Sequence, residues 1–177
     1  MAYLGPLTPP PNIRDNSAGL ATLVVHAVGA AFALMLGPWQ FVASVRIRRR
    51  RLHRWIGRFY CIACLIGGVT GEALAFGVTS GLVARFGFGL LAACWLGATA
   101  LGWASAVTAD FSRHRVWMVR SFALAFAAVT LRLYLGVAIA SGAPFAIAYP
   151  IIAWACWMPN LLVAELWLRR QGRVSLA

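Results

Sequence analysis

The sequence predicts an all-α, polytopic membrane protein: five transmembrane helices, two helical hairpins plus a fifth helix. Three observations carry this. Apolar residues fill 62% of the 177 positions and mean hydropathy is +0.78, whereas soluble domains lie nearer half apolar. Several runs exceed the ~18 apolar residues that a span needs. The sixteen basic residues are all arginine and gather in short clusters between the runs, as the positive-inside rule describes. The net charge of +12 therefore reads as membrane orientation, and nucleic acid is not an expected partner. No soluble segment is long enough to fold alone.

Residues 1–18 are rich in proline and polar residues, which predicts a disordered or extended N-terminal tail. They lack the charged start and cleavage site of a signal peptide, so the first span is expected to act as an uncleaved anchor. The transmembrane domain is expected over 19–168, with a basic cytoplasmic tail over 169–177.

The first span runs from about Gly19 to Val45, with Asn16 and Ser17 as candidate N-caps. His26, Ala33 and Gln40 recur every seven residues and share one face. Gly29, Ala30 and Gly37 keep that face small enough for close packing. Gly37-Pro38 is expected to kink the helix. Six arginines between Arg46 and Arg54 follow and place this end in the cytoplasm.

The second span covers about Trp55 to Thr79, with Arg58, Leu65 and Glu72 in a seven-residue stripe and Gly67 and Gly71 as a GxxxG pair. After the turn at Ser80-Gly81, the third span covers about Leu82 to Thr108. Gly87-Phe88-Gly89 within it is a packing pattern, not a phosphate loop. The fourth span begins at His114 and continues to about Ala140. Ser141 to Pro144 turn the chain, with Pro144 suited to the first helical position. The fifth span ends near Leu168 and should bend at Pro150 and Pro159. Only Arg14 and Arg85 fall outside the membrane on the other side. The N-terminus is therefore expected outside and the C-terminus in the cytoplasm of a bacterial inner membrane.

Two helix starts resemble each other. Leu52-His53-Arg54-Trp55 with Arg58 is echoed by Arg113-His114-Arg115 with Trp117 and Arg120. Both open a helix at the cytoplasmic face, which suggests a duplicated hairpin related by an axis along the membrane normal. A basic membrane boundary collects Arg, His and Trp without duplication, so the echo has a plainer explanation as well.

Two polar layers follow from depth. His26, Glu72 and Arg132 each lie roughly 10–12 Å inside the outer boundary at 1.5 Å per residue. An arginine at that depth is costly and needs a partner, and Glu72 is the expected one, with His26 beside the pair. Such a layer fixes helix register, or it forms a proton relay or an anion site with His26 as the titrating member. Gln40, His53, Arg58, Tyr60, His114, Arg120, Asn160 and Glu165 form an inner layer. This layer suits phospholipid headgroups, with Trp55, Trp117 and Trp167 as the aromatic belt. It equally suits a pocket for a phosphorylated, quinone-like or haem-propionate group, because arginine supplies forked donors.

Cys61, Cys64, Cys94 and Cys156 all fall in apolar runs, and the Cys61-Ile-Ala-Cys64 spacing reads as small helix residues rather than a redox or zinc motif. Haem b would need histidines on facing helices. His53 and His114 share a depth and His26 stands alone, so one haem is conceivable and a two-haem path is not supported. No metal site is firm, and no hydrolase, kinase or dinucleotide signature is present.

Taken together, His26 with Gly37 to Phe41, Leu52 to Tyr60, His114 to Ser121, Thr130 to Tyr134, Pro159-Asn160 and Glu165 carry a family pattern. The chain resembles the bacterial membrane-protein family called domain of unknown function 2306, from about Ser17 to Leu168. The resemblance implies a multi-span bacterial membrane protein and brings no activity with it. The bundle is only loosely similar to four-helix cytochromes of the b561 type and lacks their two histidine pairs. The expectation is a membrane module that binds a lipid, ligand or cofactor in its polar layers. The alternatives are a b-type haem protein exchanging electrons with quinone, and an accessory subunit of a larger membrane complex.

Overall fold

The computed structural model describes residues 16–174. The regular elements there are all helices, joined by short turns: α1 (Gly19–Phe41), α2 (Ala43–Arg48), α3 (Arg50–Phe76), α4 (Leu82–Val107), α5 (Phe111–Ala125), α6 (Ala127–Ala140), α7 (Phe145–Ala155) and α8 (Met158–Val174). Five stretches are long and apolar enough to cross a membrane: α1, α3, α4, then α5 with α6, and α7 with α8 as far as Gln171. All but three positions of the expected N-terminal tail lie outside the described residues. The C-terminal arginines Arg169 and Arg170 are still helical, because α8 continues to Val174.

Each span packs on its sequence neighbour. α1 lies on α3, α3 on α4, and α4 on α5; a contact between α1 and α5 joins the first and fourth spans. The fifth span divides its packing: α7 rests on α4 and α6, and α8 rests on α5. The α1–α3 contact explains the small residues. A Cβ on Gly29 would come within 2.9 Å of the Gly67 amide nitrogen, so the two backbones touch there and only hydrogen fits. Gly37 likewise makes room for the Phe122 ring.

The interior is built from small and aromatic residues, among them Ala33, Tyr60, Cys64, Trp95 and Leu124. Many large apolar side chains point outward, including Leu65, Phe86, Ile147 and Val137. In water so much exposed apolar surface would be an aggregation liability. Around a membrane bundle it is the surface that lipid covers.

The helix breaks differ from expectation. α1 runs through Pro38 and breaks at Val42, where ψ swings to 115°. A proline removes its own amide bond and crowds the carbonyl four residues back, yet the chain leaves the helix four residues after it. The fourth span, free of proline, is interrupted at Phe126, although the backbone stays helical there (φ −65°, ψ −15°). The fifth span breaks at Cys156-Trp157, just before Pro159. Asn16 and Ser17 do not cap α1; Ala18 holds that position without a side-chain bond. Asn16 instead accepts the Ala18 amide (2.9 Å) and donates to Leu74 O (3.0 Å), tying the start of the first span to the end of the second. Pro144 is the N-cap of α7 rather than its first residue.

Candidate functional site

Polar side chains gather in four places. The most buried lies in the centre, where α3, α4 and α5 meet. Thr99 donates to Trp95 O on its own helix (2.8 Å). Its oxygen can then only accept from Ser121 (2.7 Å), and Ser121 in turn accepts from the Tyr60 hydroxyl (2.9 Å). The chain Tyr60 to Ser121 to Thr99 to Trp95 uses every hydroxyl proton and crosses three spans. Tyr60 is 1% exposed and Ser121 0%, so it belongs to this centre and not to the inner layer the sequence suggested. Ser121 and Thr99 were not foreseen. Serine and threonine in a span usually bond their own helix, as Thr99 also does, and nothing in the sequence marks the ones that reach across.

Beside this centre, a lateral groove of about 520 Å³ opens between α3 and α4. Arg58, Cys61, Ile62 and Leu65 form one wall and Leu96, Thr99, Ala100 and Trp103 the other. The lining is apolar except at two points. Arg58 stands at the end nearer the arginine cluster, its guanidinium 5.0 Å from the centre of the Trp55 ring and without an acid partner among the described residues. Thr99 ties the opposite wall to the central hydroxyl chain. All four cysteines are free, and Cys61 is the one that faces this groove.

At the arginine-rich end, Arg120 and Glu165 form a forked ion pair between α5 and α8, with Nε to Oε1 at 2.5 Å and Nη2 to Oε2 at 3.1 Å. The Arg120 guanidinium also lies 4.5 Å from the Trp117 ring centre. His114 donates Nδ1–H to Gly102 O (2.8 Å), since a carbonyl only accepts. His53, its counterpart in the other helix start, has a buried Nδ1 with no partner. Gln40 is buried against Gly57, and its Nε2 is also without a partner. Asp110 caps α5. It accepts the Arg113 amide (3.0 Å) and the Ser112 hydroxyl (2.7 Å), and these bonds hold its carboxyl below the usual carboxylate range.

Asn160 does not join Glu165. It donates to Thr130 Oγ1 (3.1 Å) and to Cys156 O (2.9 Å), and Thr130 also bonds Cys156 O. This cluster satisfies the backbone that the fifth-span break exposes, deep in the bundle where no water would do so.

The outer layer is also rearranged. Glu72 does not pair with Arg132. The Arg132 side chain is exposed and donates to Ala128 O on its own helix (2.6 Å), while Glu72 Oε2 is buried without a partner. The reason is packing: α6 lies against α7 rather than beside α3. His26 donates Nδ1–H to Gly67 O (2.8 Å) and sits over Gly71. Among the described residues no group of three or more His, Cys, Asp or Glu could hold a metal ion.

Residues 23–168 match the family described as "Predicted membrane protein (DUF2306)". The chain belongs to this family. The matched region contains α3 to α7 whole and every residue of the four polar regions above. No curated protein matches this DUF2306 chain, and neither does any solved structure.

Proposed function

We propose that this DUF2306 protein is a membrane module that binds a lipid-like amphiphile in the lateral groove between α3 and α4. The observation that carries the reading is the groove itself: an apolar cleft with one guanidinium, Arg58, unpaired among the described residues, at its end and the buried Thr99 in its wall. Inside a bilayer, apolar contact alone selects little, because lipid tails are as apolar as the groove. Selectivity then rests on shape and on the polar group at Arg58, which suits an oxygen-rich head. By the positive-inside rule the arginine-rich end faces the cytoplasm of a bacterial inner membrane. The groove therefore draws on the inner leaflet.

Native mass spectrometry of protein purified in mild detergent tests this. The wild type should carry a bound amphiphile, and Ala100→Trp, which fills the groove, should lose it while keeping its helical circular-dichroism signal. Retention of the same adduct by Ala100→Trp would refute the groove reading. The same preparation separates the competing functions. A haem band in the visible spectrum that disappears in His53→Ala or His114→Ala would make the protein a b-type cytochrome, and a stoichiometric second chain would make it a subunit of a larger complex.

A further inference from the structure

At the arginine-rich end a second, open cavity of about 760 Å³ is lined by Ile47, Leu52 and five arginines: Arg48, Arg49, Arg50, Arg51 and Arg54. None of the five pairs with an acid among the described residues. Three further features make this cup a place for an anion. Arg49, the N-cap residue of the 27-residue helix α3, forms no side-chain cap bond. The first helical bond into α3 runs from the His53 amide to Arg49 O (3.0 Å), and the Arg49 amide is taken by Val45 O (3.2 Å), which leaves the amides of Arg50, Arg51 and Leu52 as open donors. The cup also lies on the groove's own face of α3. Arg51, Arg54, Arg58, Cys61 and Leu65 follow at steps of three and four and form one stripe. From Arg51 to Leu65 that stripe runs about 21 Å, charged for its first half and apolar for its second.

We propose that the cup is the headgroup subsite of the groove, and that the bound amphiphile is a membrane lipid with a phosphate head. The inference rests on the groove reading and adds the chemistry of the head. Guanidinium forks and open helix amides match phosphate oxygens. Ile47 and Leu52, apolar side chains within the cup, suit the first carbons of a chain leading to Arg58 and then to Leu65. A free phosphate would make no use of them. A diacyl phospholipid and an isoprenoid phosphate share this chemistry.

The test uses the full chain, delipidated in mild detergent, with each probe added alone: phosphatidylglycerol, a polyprenyl phosphate, diacylglycerol, a quinone, and inorganic phosphate. Native mass spectrometry and the shift in melting temperature report binding. A phosphate lipid should bind on the order of a hundredfold more tightly than diacylglycerol, at about fivefold for each of three engaged arginines. The variant R49Q/R51Q/R54Q should lose that preference. Arg46, Arg48, Arg50 and Arg58 remain in it to hold orientation. Wild-type binding should also weaken steeply with added salt, a measurement that needs no variant. Preference between the two phosphate lipids identifies the source of the head, and either answer supports the proposal. Equal binding of diacylglycerol or quinone, with Ala100→Trp still abolishing it, would overturn the phosphate head and leave the groove standing. Loss in the arginine variant with no loss in Ala100→Trp would sink the groove reading instead. Salt-independent binding, or inorganic phosphate stabilising as strongly as lipid, would overturn the lipid headgroup.

Discussion

The ion pair between Arg120 and Glu165 is one contact that joins the fourth and fifth spans at the arginine-rich end, and its strength can be reasoned from its surroundings. The side chains are 26% and 30% exposed, which places the pair between two limits. Fully exposed pairs contribute about 0–1 kcal/mol, and breaking a fully buried pair costs about 3–5 kcal/mol. The forked geometry, 2.5 and 3.1 Å, favours the upper part of the interval. The Trp117 ring beneath Arg120 favours the lower part, because the cation keeps an attraction of about 0.5–1 kcal/mol when the acid is gone. Glu165→Gln should therefore destabilise by about 1.5–2.5 kcal/mol, within the range for a hydrogen bond to a charged group. Arg120→Gln with Glu165→Gln should cost less than the sum of the single changes, by about 1–2 kcal/mol, since residues in direct contact couple on that scale. The assay is a double-mutant cycle on reversible unfolding in mixed micelles. Glu72→Gln is the comparison, and it should be nearly silent, because Glu72 Oε2 has no partner to lose. Single changes that add within ~0.3 kcal/mol would refute the coupling. A Glu72→Gln as costly as Glu165→Gln would show that the outer acid holds a partner after all.

Four further outcomes are expected. Gly29→Ala should cost about 1–3 kcal/mol by forcing α1 from α3, because the added carbon meets Gly67 backbone rather than a movable side chain; an unchanged melting temperature would contradict this. Ser121→Ala removes the middle of the central hydroxyl chain and should cost about 1–3 kcal/mol through the Tyr60 hydroxyl left without an acceptor, with Tyr60→Phe recovering part of the loss in the double variant. Ala109 holds a left-handed conformation (φ 58°) after α4, so Ala109→Gly should stabilise by about 1 kcal/mol, read as a raised melting temperature. The Asp110 carboxyl titrates below its unfolded value, so the stability its cap contributes is full above the ordinary carboxylate pKa. That contribution is lost as pH falls through the lowered value. The melting temperature of Asp110→Asn should lack this acid-side step.

Much of the fold was legible from composition and spacing alone. Runs of apolar residues punctuated by arginine mark the spans, and Gly29, Gly37 and Gly67 announce where helices touch. The site was less legible, for reasons that differ by residue. Depth along a helix placed Glu72 and Arg132 at one level, but level does not determine which helix stands beside which; α6 leans on α7, and the pair never meets. Arg120 and Glu165 were assigned to one layer by the same arithmetic, and there α5 and α8 are neighbours. Tyr60 illustrates the limit of reading by boundary. Its distance from the arginines suggests an interface, and only the packing of three helices shows that its hydroxyl turns inward to Ser121. The groove leaves no trace in the sequence, since Leu96 and Ala100 look like any lipid-facing residues until α3 and α4 are set side by side.

The interruptions at Phe126 and Cys156 lie next to each other across the fourth and fifth spans, bridged by Thr130 and Asn160. They divide that hairpin into one half made of α6 with α7 and another, at the arginine-rich end, made of α5 with α8, each packed within itself. A helix that crosses a membrane unbroken transmits a push at one face to the other as a rod does. Here the rods are weakened at the same height, where side-chain hydrogen bonds supplement the backbone bonds that still cross, among them Thr130 N to Phe126 O and Leu161 N to Trp157 O. The side chains that bridge the two interruptions are Thr130 and Asn160.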